Sequence, residues 1–165
     1  MGRGESGHTR VVTTRPVGPD DLDLICRHRE EMFRASNAPG RSDELLRTMT
    51  ASFRGWIEPR LRDGSYFGYI AEDGGAAVGG IGLMIIDWPP HPSHPDQDKR
   101  GYVLNVFVEP SHRRRGLAKM LMDLGEAEIA RRGVSFAILH ATRMGRPLYE
   151  QTGWSQTAEM SKQVR

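Results

Sequence analysis

The chain has 165 residues, of which 38% are hydrophobic and 27% charged, a composition that fits a globular protein. Its formal net charge of +2 does not favour nucleic-acid binding, and no apolar run approaches the roughly 20 residues of a membrane span. Cys26 is the only cysteine, so a reducing cytoplasm is the expected setting. We expect a flexible tail over residues 1–8 and a single domain over residues 9–165.

The first half of the chain alternates hydrophobic segments with capping and turn residues. Asp20 or Asp21 and Ser42 or Asp43 are helix caps, and Pro59 is expected to break or kink the second helix near its end. In chain order we predict a strand over 9–17, a helix ending near residue 37, a second helix from residue 43, and antiparallel strands over 66–71 and 77–86.

The second half begins with a proline-rich segment, residues 88–100, which predicts an irregular loop. His91 and His94 in this loop lack a closed set of four zinc ligands, so a lid over a substrate is the preferred interpretation. The elements that follow are a strand over 102–108, a helix from residue 117, a strand over 135–141, a short helix over 147–152, and a last strand or hairpin over 153–164. This order indicates a mixed α/β sheet.

The turn between the strand over 102–108 and its helix has the features of an anion site. The first N–H groups of a helix have no partner within the helix, and the helix dipole is positive there. Arg113, Arg114 and Arg115 add forked donors suited to phosphate, and Gly116 allows close approach to the backbone. The turn carries neither a P-loop nor a Rossmann glycine pattern, so we interpret it as a pyrophosphate cradle of another kind.

Arg113-Arg114-Arg115-Gly116-Leu117-Ala118 resembles the Arg/Gln-x-x-Gly-x-Gly/Ala motif of the GCN5-related N-acetyltransferases (GNAT family), which cradles the pyrophosphate of acetyl-CoA. The segment from Arg146 to Trp154 is similar to the family's Leu-Tyr-x-x-x-Gly-Phe segment. The resemblance implies an α/β fold with a GNAT-type mixed sheet, helices on both faces, and two splayed central parallel strands, around 101–109 and 134–141. It also implies acetyl-CoA as cosubstrate without a metal, direct transfer to a primary amine of a small molecule or peptide, and a homodimer as one candidate assembly.

The same resemblance assigns the site residues. Tyr149 matches the tyrosine that protonates the departing CoA thiolate. Backbone N–H groups of Val106, Phe107 and Val108 match those that hold the pantetheine and the acetyl carbonyl. Thr142 stands where many relatives carry an asparagine that touches the cofactor. The residues that match the diphosphate-binding turn are Arg113, Arg114, Arg115, Gly116, Leu117, Ala118 and Lys119.

The general base remains unassigned at this point, because neither splayed strand carries the glutamate that relatives often use. His140, at the end of the second strand, has a suitable intrinsic pKa, and Asn105 is a candidate to orient a water or the substrate. The missing glutamate also leaves open an alternative function, a catalytically silent acyl-CoA-binding regulatory module.

Overall fold

The structure is a computed structural model that describes residues 11–36 and 38–164. The tail predicted over residues 1–8 lies outside the described residues. The strands are β1 (Thr13–Pro16), β2 (Phe67–Asp73), β3 (Ala76–Asp87), β4 (Lys99–Val108) and β5 (Ala137–Leu139), and the helices are α1 (Leu22–Ala35), α2 (Asp43–Asp63), α3 (Leu117–Arg131) and α4 (Arg146–Gln151).

The five strands form one sheet in the order β1-β2-β3-β4-β5. Neighbouring strands are antiparallel from β1 to β4, whereas β4 and β5 are parallel. The parallel pairing is short: Gly101 faces Ala137 and Val103 faces Leu139. β4 continues to Val108 with no partner on this side among the described residues, so the two strands separate at their carboxyl ends. The predicted mixed sheet with splayed parallel strands is confirmed.

Helices cover both faces of the sheet, as predicted. On one face α1 and α2 pack together around Ile25, Phe53 and Ile57, which are almost fully buried. On the other face Leu121 and Met122 of α3 are fully buried against the strands. Burial of this kind on both faces stabilises the sheet through the hydrophobic effect. No helix in the described ranges is long and apolar enough to cross a membrane.

Helix α2 does not break at Pro59 but continues to Asp63. Ser42 caps its start by accepting a hydrogen bond from the backbone N–H of Leu45, at 3.1 Å. Proline removes one backbone donor from the turn that contains it, but Leu61 in the last turn is buried. Burial of the Leu61 side chain offsets the hydrogen bond that Pro59 cannot donate.

The last strand predicted over 153–164 is wrong: the chain has no strand between residues 152 and 164. An alternating pattern predicts a strand only where a neighbouring strand offers hydrogen bonds. β5 is three residues long and the segment does not pair with it. Met160 and Val164, two apolar residues of this segment, are 96% and 91% exposed.

Candidate active site

The start of α3 presents a run of unpaired backbone donors. Gly116 caps the helix with φ of 77°, in the left-handed region that glycine adopts without strain. A Cβ at this position would meet nothing within 4 Å, so the turn is open above the backbone. The N–H groups from Arg114 to Lys119 donate to no residue of the described ranges. Six consecutive free donors at the positive end of a helix dipole form a binding site for an anion.

A cleft of about 180 Å³ runs from this turn along the carboxyl half of β4. It lies where β4 and β5 separate and is closed by the end of α1 and by α4. The cleft brings together residues that the sequence placed in one site. Those among its lining residues are Val106, Phe107, Val108, Arg113, Ala118, Thr142 and Tyr149.

A bulge in β4 sets the direction of the backbone beside the cleft. Gly82 of β3 faces Leu104 and Gly80 faces Phe107, so two residues of β4, Asn105 and Val106, lie opposite one residue of β3. Asn105 takes φ of 56° at this point, which is uncommon for a residue other than glycine. Bulges of this kind bend a strand and redirect its side chains. Since β5 pairs with β4 only as far as Val103, the edge of β4 beyond it is open toward the cleft.

The basic side chains of the turn have different surroundings. Arg113 is tied to the strand: its Nε donates to the carbonyl oxygen of Val108 at 3.0 Å. Arg114 and Arg115 are exposed. The ammonium group of Lys119 pairs with Asp123 at 2.7 Å, whereas its backbone N–H has no partner in the described ranges.

Tyr149, on α4, reaches the cleft from the side opposite β4. Burial raises the pKa of its hydroxyl, and the hydroxyl forms no hydrogen bond with the described part of the chain. Gly145 lies flat against the ring, because a Cβ there would be 2.9 Å from the ring carbon Cε2. Its N–H donates to the Thr142 hydroxyl at 3.2 Å. The ring also meets Trp154 edge-on at 6.5 Å.

His140 belongs to a chain of three polar side chains on the other side of the splay. Its Nδ1 lies 2.9 Å from the hydroxyl of Tyr102, and its Nε2 contacts the carboxylate of Glu159. Tyr102 lies on β4, where burial raises the pKa of its hydroxyl. Sequence reasoning missed Tyr102 and Glu159. An alternating strand pattern places Tyr102 on the face of Leu104, which was the available signal.

Asn105, predicted as a catalytic candidate, is enclosed by protein and only 5% exposed. Its Nδ2 donates to the Tyr66 hydroxyl at 3.0 Å, and its Oδ1 accepts from Nη1 of Arg29 at 2.7 Å. Both polar side-chain atoms of Asn105 therefore have protein partners, and its role in orienting a water or the substrate stays a prediction. Sequence reasoning did not single out Arg29.

The loop after β3 is fastened to the opposite end of β4 from the cleft. The guanidinium of Arg100 lies between the rings of Trp88 and Phe136, at 4.1 and 4.8 Å. His94 accepts from Nε of Arg100 at 2.9 Å, and its Nδ1 lies 3.0 Å from the carbonyl oxygen of Gln97. Both ring nitrogens of His94 therefore have protein partners, and the contacts give no support to a lid. The described residues contain no group of three or more metal-ligating side chains.

Comparison with known proteins decides the family. The model of the acetyltransferase (GNAT) family matches residues 25–154. The chain belongs to this family. It is 58% identical to a GCN5-related N-acetyltransferase from Ralstonia eutropha JMP134, with a TM-score of 0.89 and coverage of 93% of this chain and 99% of that one. A comparison with curated proteins found no match.

More distant GNAT structures share the fold. A predicted acetyltransferase from Clostridium acetobutylicum, solved with acetyl-CoA, is 21% identical with a TM-score of 0.81 over 93% of this chain and 96% of that one. A ribosomal-protein-alanine N-acetyltransferase from Brucella melitensis biovar Abortus 2308 is 24% identical with a TM-score of 0.60 over 94% and 98%. GNAT enzymes use acetyl-CoA, and this chain is an acyl-CoA-dependent acetyltransferase.

Proposed function

We propose that this acetyltransferase moves the acetyl group directly from acetyl-CoA to a primary amine, with Tyr149 as the general acid. The observation that carries the proposal is the cleft itself. The turn with six free backbone donors adjoins the cleft through Arg113 and Ala118, and an open strand edge forms its wall at Val106–Val108. Tyr149, whose hydroxyl has no partner among the described residues, also lines the cleft. Each feature matches one part of a thioester bound to a diphosphate nucleotide.

The residues of the cleft fit acetyl-CoA part by part. The free N–H groups around Gly116 would hold the diphosphate, and the exposed guanidinium groups of Arg114 and Arg115 would add positive charge beside it. The open edge of β4 would hold the pantetheine arm by strand-like hydrogen bonds. Thr142 keeps its hydroxyl proton available, because its oxygen acts as the acceptor for Gly145. The bound cosubstrate supplies the activated acetyl group.

Tyr149 is suited to donate a proton to the CoA sulfur as the thiolate leaves. A phenol with an ordinary pKa near 10 is protonated at neutral pH, and burial raises the pKa of Tyr149 further. Since no described residue accepts a hydrogen bond from its hydroxyl, the proton is directed by the ligand alone. Protonation of the sulfur makes it a better leaving group.

The acceptor amine must lose a proton, and we propose that Tyr102, His140 and Glu159 remove it together. In neutral His140 the proton is assigned to Nε2, which faces Glu159, so Nδ1 accepts from the Tyr102 hydroxyl. An amine over β4 gives its proton to the Tyr102 oxygen while the tyrosine proton moves to His140 Nδ1. The carboxylate of Glu159 stabilises the imidazolium that forms.

Turnover of acetyl-CoA with a panel of amines tests the proposal, and the released CoA thiol is the measured signal. Tyr149→Phe should lower kcat by roughly 10²- to 10⁴-fold, the usual contribution of general acid catalysis, while calorimetry still detects CoA binding. Tyr69→Phe, which removes a partly buried tyrosine hydroxyl of β2, is the matched control and should retain activity. Unchanged turnover in Tyr149→Phe removes this residue from the acid role. CoA binding without thiol release for any amine would favour the silent binding module.

The wider setting is part of the same proposal. We expect one domain over residues 9–165 that acts in the cytoplasm, where its single cysteine, Cys26, stays reduced. Burial raises the pKa of the Cys26 thiol, so it is poorly reactive. By resemblance to the family a homodimer is one candidate assembly, and light scattering of the purified protein measures the oligomeric state.

A further inference from the structure

Arg29 of α1 reaches across to the bulge of β4 and leaves part of its guanidinium unused. Its Nη1 donates to Oδ1 of Asn105 at 2.7 Å, whereas its Nε is buried without a hydrogen-bond partner. Nη2 also forms no hydrogen bond within the described ranges. The rings of Phe33 and Phe53 lie 4.9 and 4.6 Å from the guanidinium carbon. Two donors of the guanidinium therefore have no partner among the described residues: Nε, which is enclosed by protein, and Nη2, which is accessible.

The charge of Arg29 has no carboxylate partner in the described part of the chain. Its neighbours on the same helix do: Arg27 pairs with Glu109, and Arg34 pairs with Glu30 at 2.9 Å. Burial lowers the pKa of Arg29, and its electrostatic neighbours are tyrosines that are neutral at physiological pH. A charge removed from water is costly unless an opposite charge and hydrogen bonds compensate it. The aromatic rings supply only part of that compensation.

The unpaired charge of Arg29 lies beside the part of β4 where we place the reaction. Asn105, its anchor, directly precedes Val106, where we place the thioester end of the pantetheine. Tyr102, which we propose takes the amine proton, lies three residues earlier on the same strand and interacts electrostatically with Arg29. A ligand that meets both the Tyr102 hydroxyl and the unpaired Nη2 of Arg29 would carry an amine and an anion in one molecule.

We propose that the acceptor is an amine that also carries a carboxylate, and that Arg29 binds this carboxylate through its unpaired Nη2. A hydrogen bond from a guanidinium to a carboxylate is charge-assisted and about twice as strong as a neutral one. The acceptor class is therefore amino acids and amines built like them. This inference rests on the proposed acetyl transfer to an amine.

Matched acceptors test the inference. Amino acids are compared with the corresponding amino acid amides and with polyamines, which keep the amine but lack the carboxylate. The wild-type protein should favour the carboxylate acceptors about 10- to 100-fold in kcat/KM, the usual range for hydrogen bonds to a charged group. In Arg29→Met the preference should fall to about 1. Arg29→Lys keeps the positive charge but loses the guanidinium, and its preference should fall between the two.

Two results would overturn the inference. The first is equal turnover of amides and amino acids by the wild-type protein. The second is an equal loss for both acceptor types in Arg29→Met, which would mean that Arg29 only supports the bulge. Calorimetry of amino acids against the protein saturated with CoA gives an answer even if no acceptor turns over. If amino acids bind and this binding requires both the carboxylate and Arg29, the inference holds even when no acetyl transfer is detected. If amino acids do not bind in this way, the inference is refuted.

Discussion

Gly145→Ala is the sharpest perturbation of Tyr149 that the chain offers, because it leaves the tyrosine in place and moves it. The new Cβ would lie 2.9 Å from Cε2 and 3.3 Å from the hydroxyl oxygen of Tyr149. Ordinary contacts begin near 3.4 Å, so the ring must shift by about 0.5 Å. The backbone of Gly145, with φ of −81° and ψ of −24°, accepts alanine without strain.

A displacement of this size should reduce kcat about tenfold, since a misplacement of roughly 1 Å at a catalytic group can cost about 10²-fold. Steady-state kinetics with acetyl-CoA measures it, and the affinity for CoA should change little. Gly55→Ala is the matched control: Gly55 lies on the exposed side of α2 with nothing near its Cβ. That variant should keep full activity and gain about 0.5–1 kcal/mol in stability.

A double-mutant cycle decides whether the effect passes through the hydroxyl of Tyr149. In a Tyr149→Phe background, Gly145→Ala should cost much less than it does alone, because the group that it displaces is already absent. Additive losses in the cycle would refute the reasoning, as would full activity of Gly145→Ala in the wild-type background.

Three further predictions follow from other parts of the structure. Burial lowers the pKa of His28 from 6.5 to about 4. The unfolding free energy should therefore fall by about 3 kcal/mol as the pH drops from 6.5 to 4, because the unfolded chain gains a proton that the fold excludes. Denaturant unfolding should show that His28→Gln loses less unfolding free energy over this pH range than the wild-type protein. An equal dependence on pH in both proteins would contradict the role of His28. Gly116→Ala should weaken CoA binding about tenfold or more, as measured by calorimetry. The new side chain strains the left-handed turn and would displace the hydrogen bonds that we propose the backbone N–H groups donate to the diphosphate. Gly133 has a similar positive φ and open surroundings away from the cleft, so Gly133→Ala should bind CoA normally. An equal loss of CoA affinity in both variants would mean that backbone strain alone is responsible. Glu159→Gln should lower kcat about tenfold while CoA still binds, because the imidazolium that His140 forms on taking the amine proton loses its carboxylate partner; unchanged turnover would exclude this pair from proton transfer.

The parts of the site that sequence could predict are those that local order determines. The strand, turn and helix around Gly116 follow from hydrophobic periodicity and from helix-end chemistry within about 20 residues. The segment that carries Tyr149 is equally local. For this reason seven of the residues that the sequence assigned to the site line the cleft, although their catalytic and binding roles stay predictions.

The parts that sequence could not predict depend on contacts between distant segments. The bond between Arg29 and Asn105 spans 76 positions, and the bond between Tyr102 and His140 spans 38. Neither pair has a local signature, so Arg29 and Tyr102 looked like ordinary surface and core residues. The last strand failed for a related reason, since an alternating pattern does not reveal whether a neighbouring strand is available to pair with it.

The central claim is that the free backbone amides around Gly116 hold the diphosphate of CoA. Amide proton and nitrogen NMR shifts during a titration with CoA measure this directly, with pantetheine, which lacks the diphosphate, as the comparison ligand. The account predicts saturable shifts that are largest from Arg114 to Lys119 with CoA and nearly absent there with pantetheine. Saturable shifts concentrated elsewhere, or equal shifts from both ligands in this turn, would contradict it.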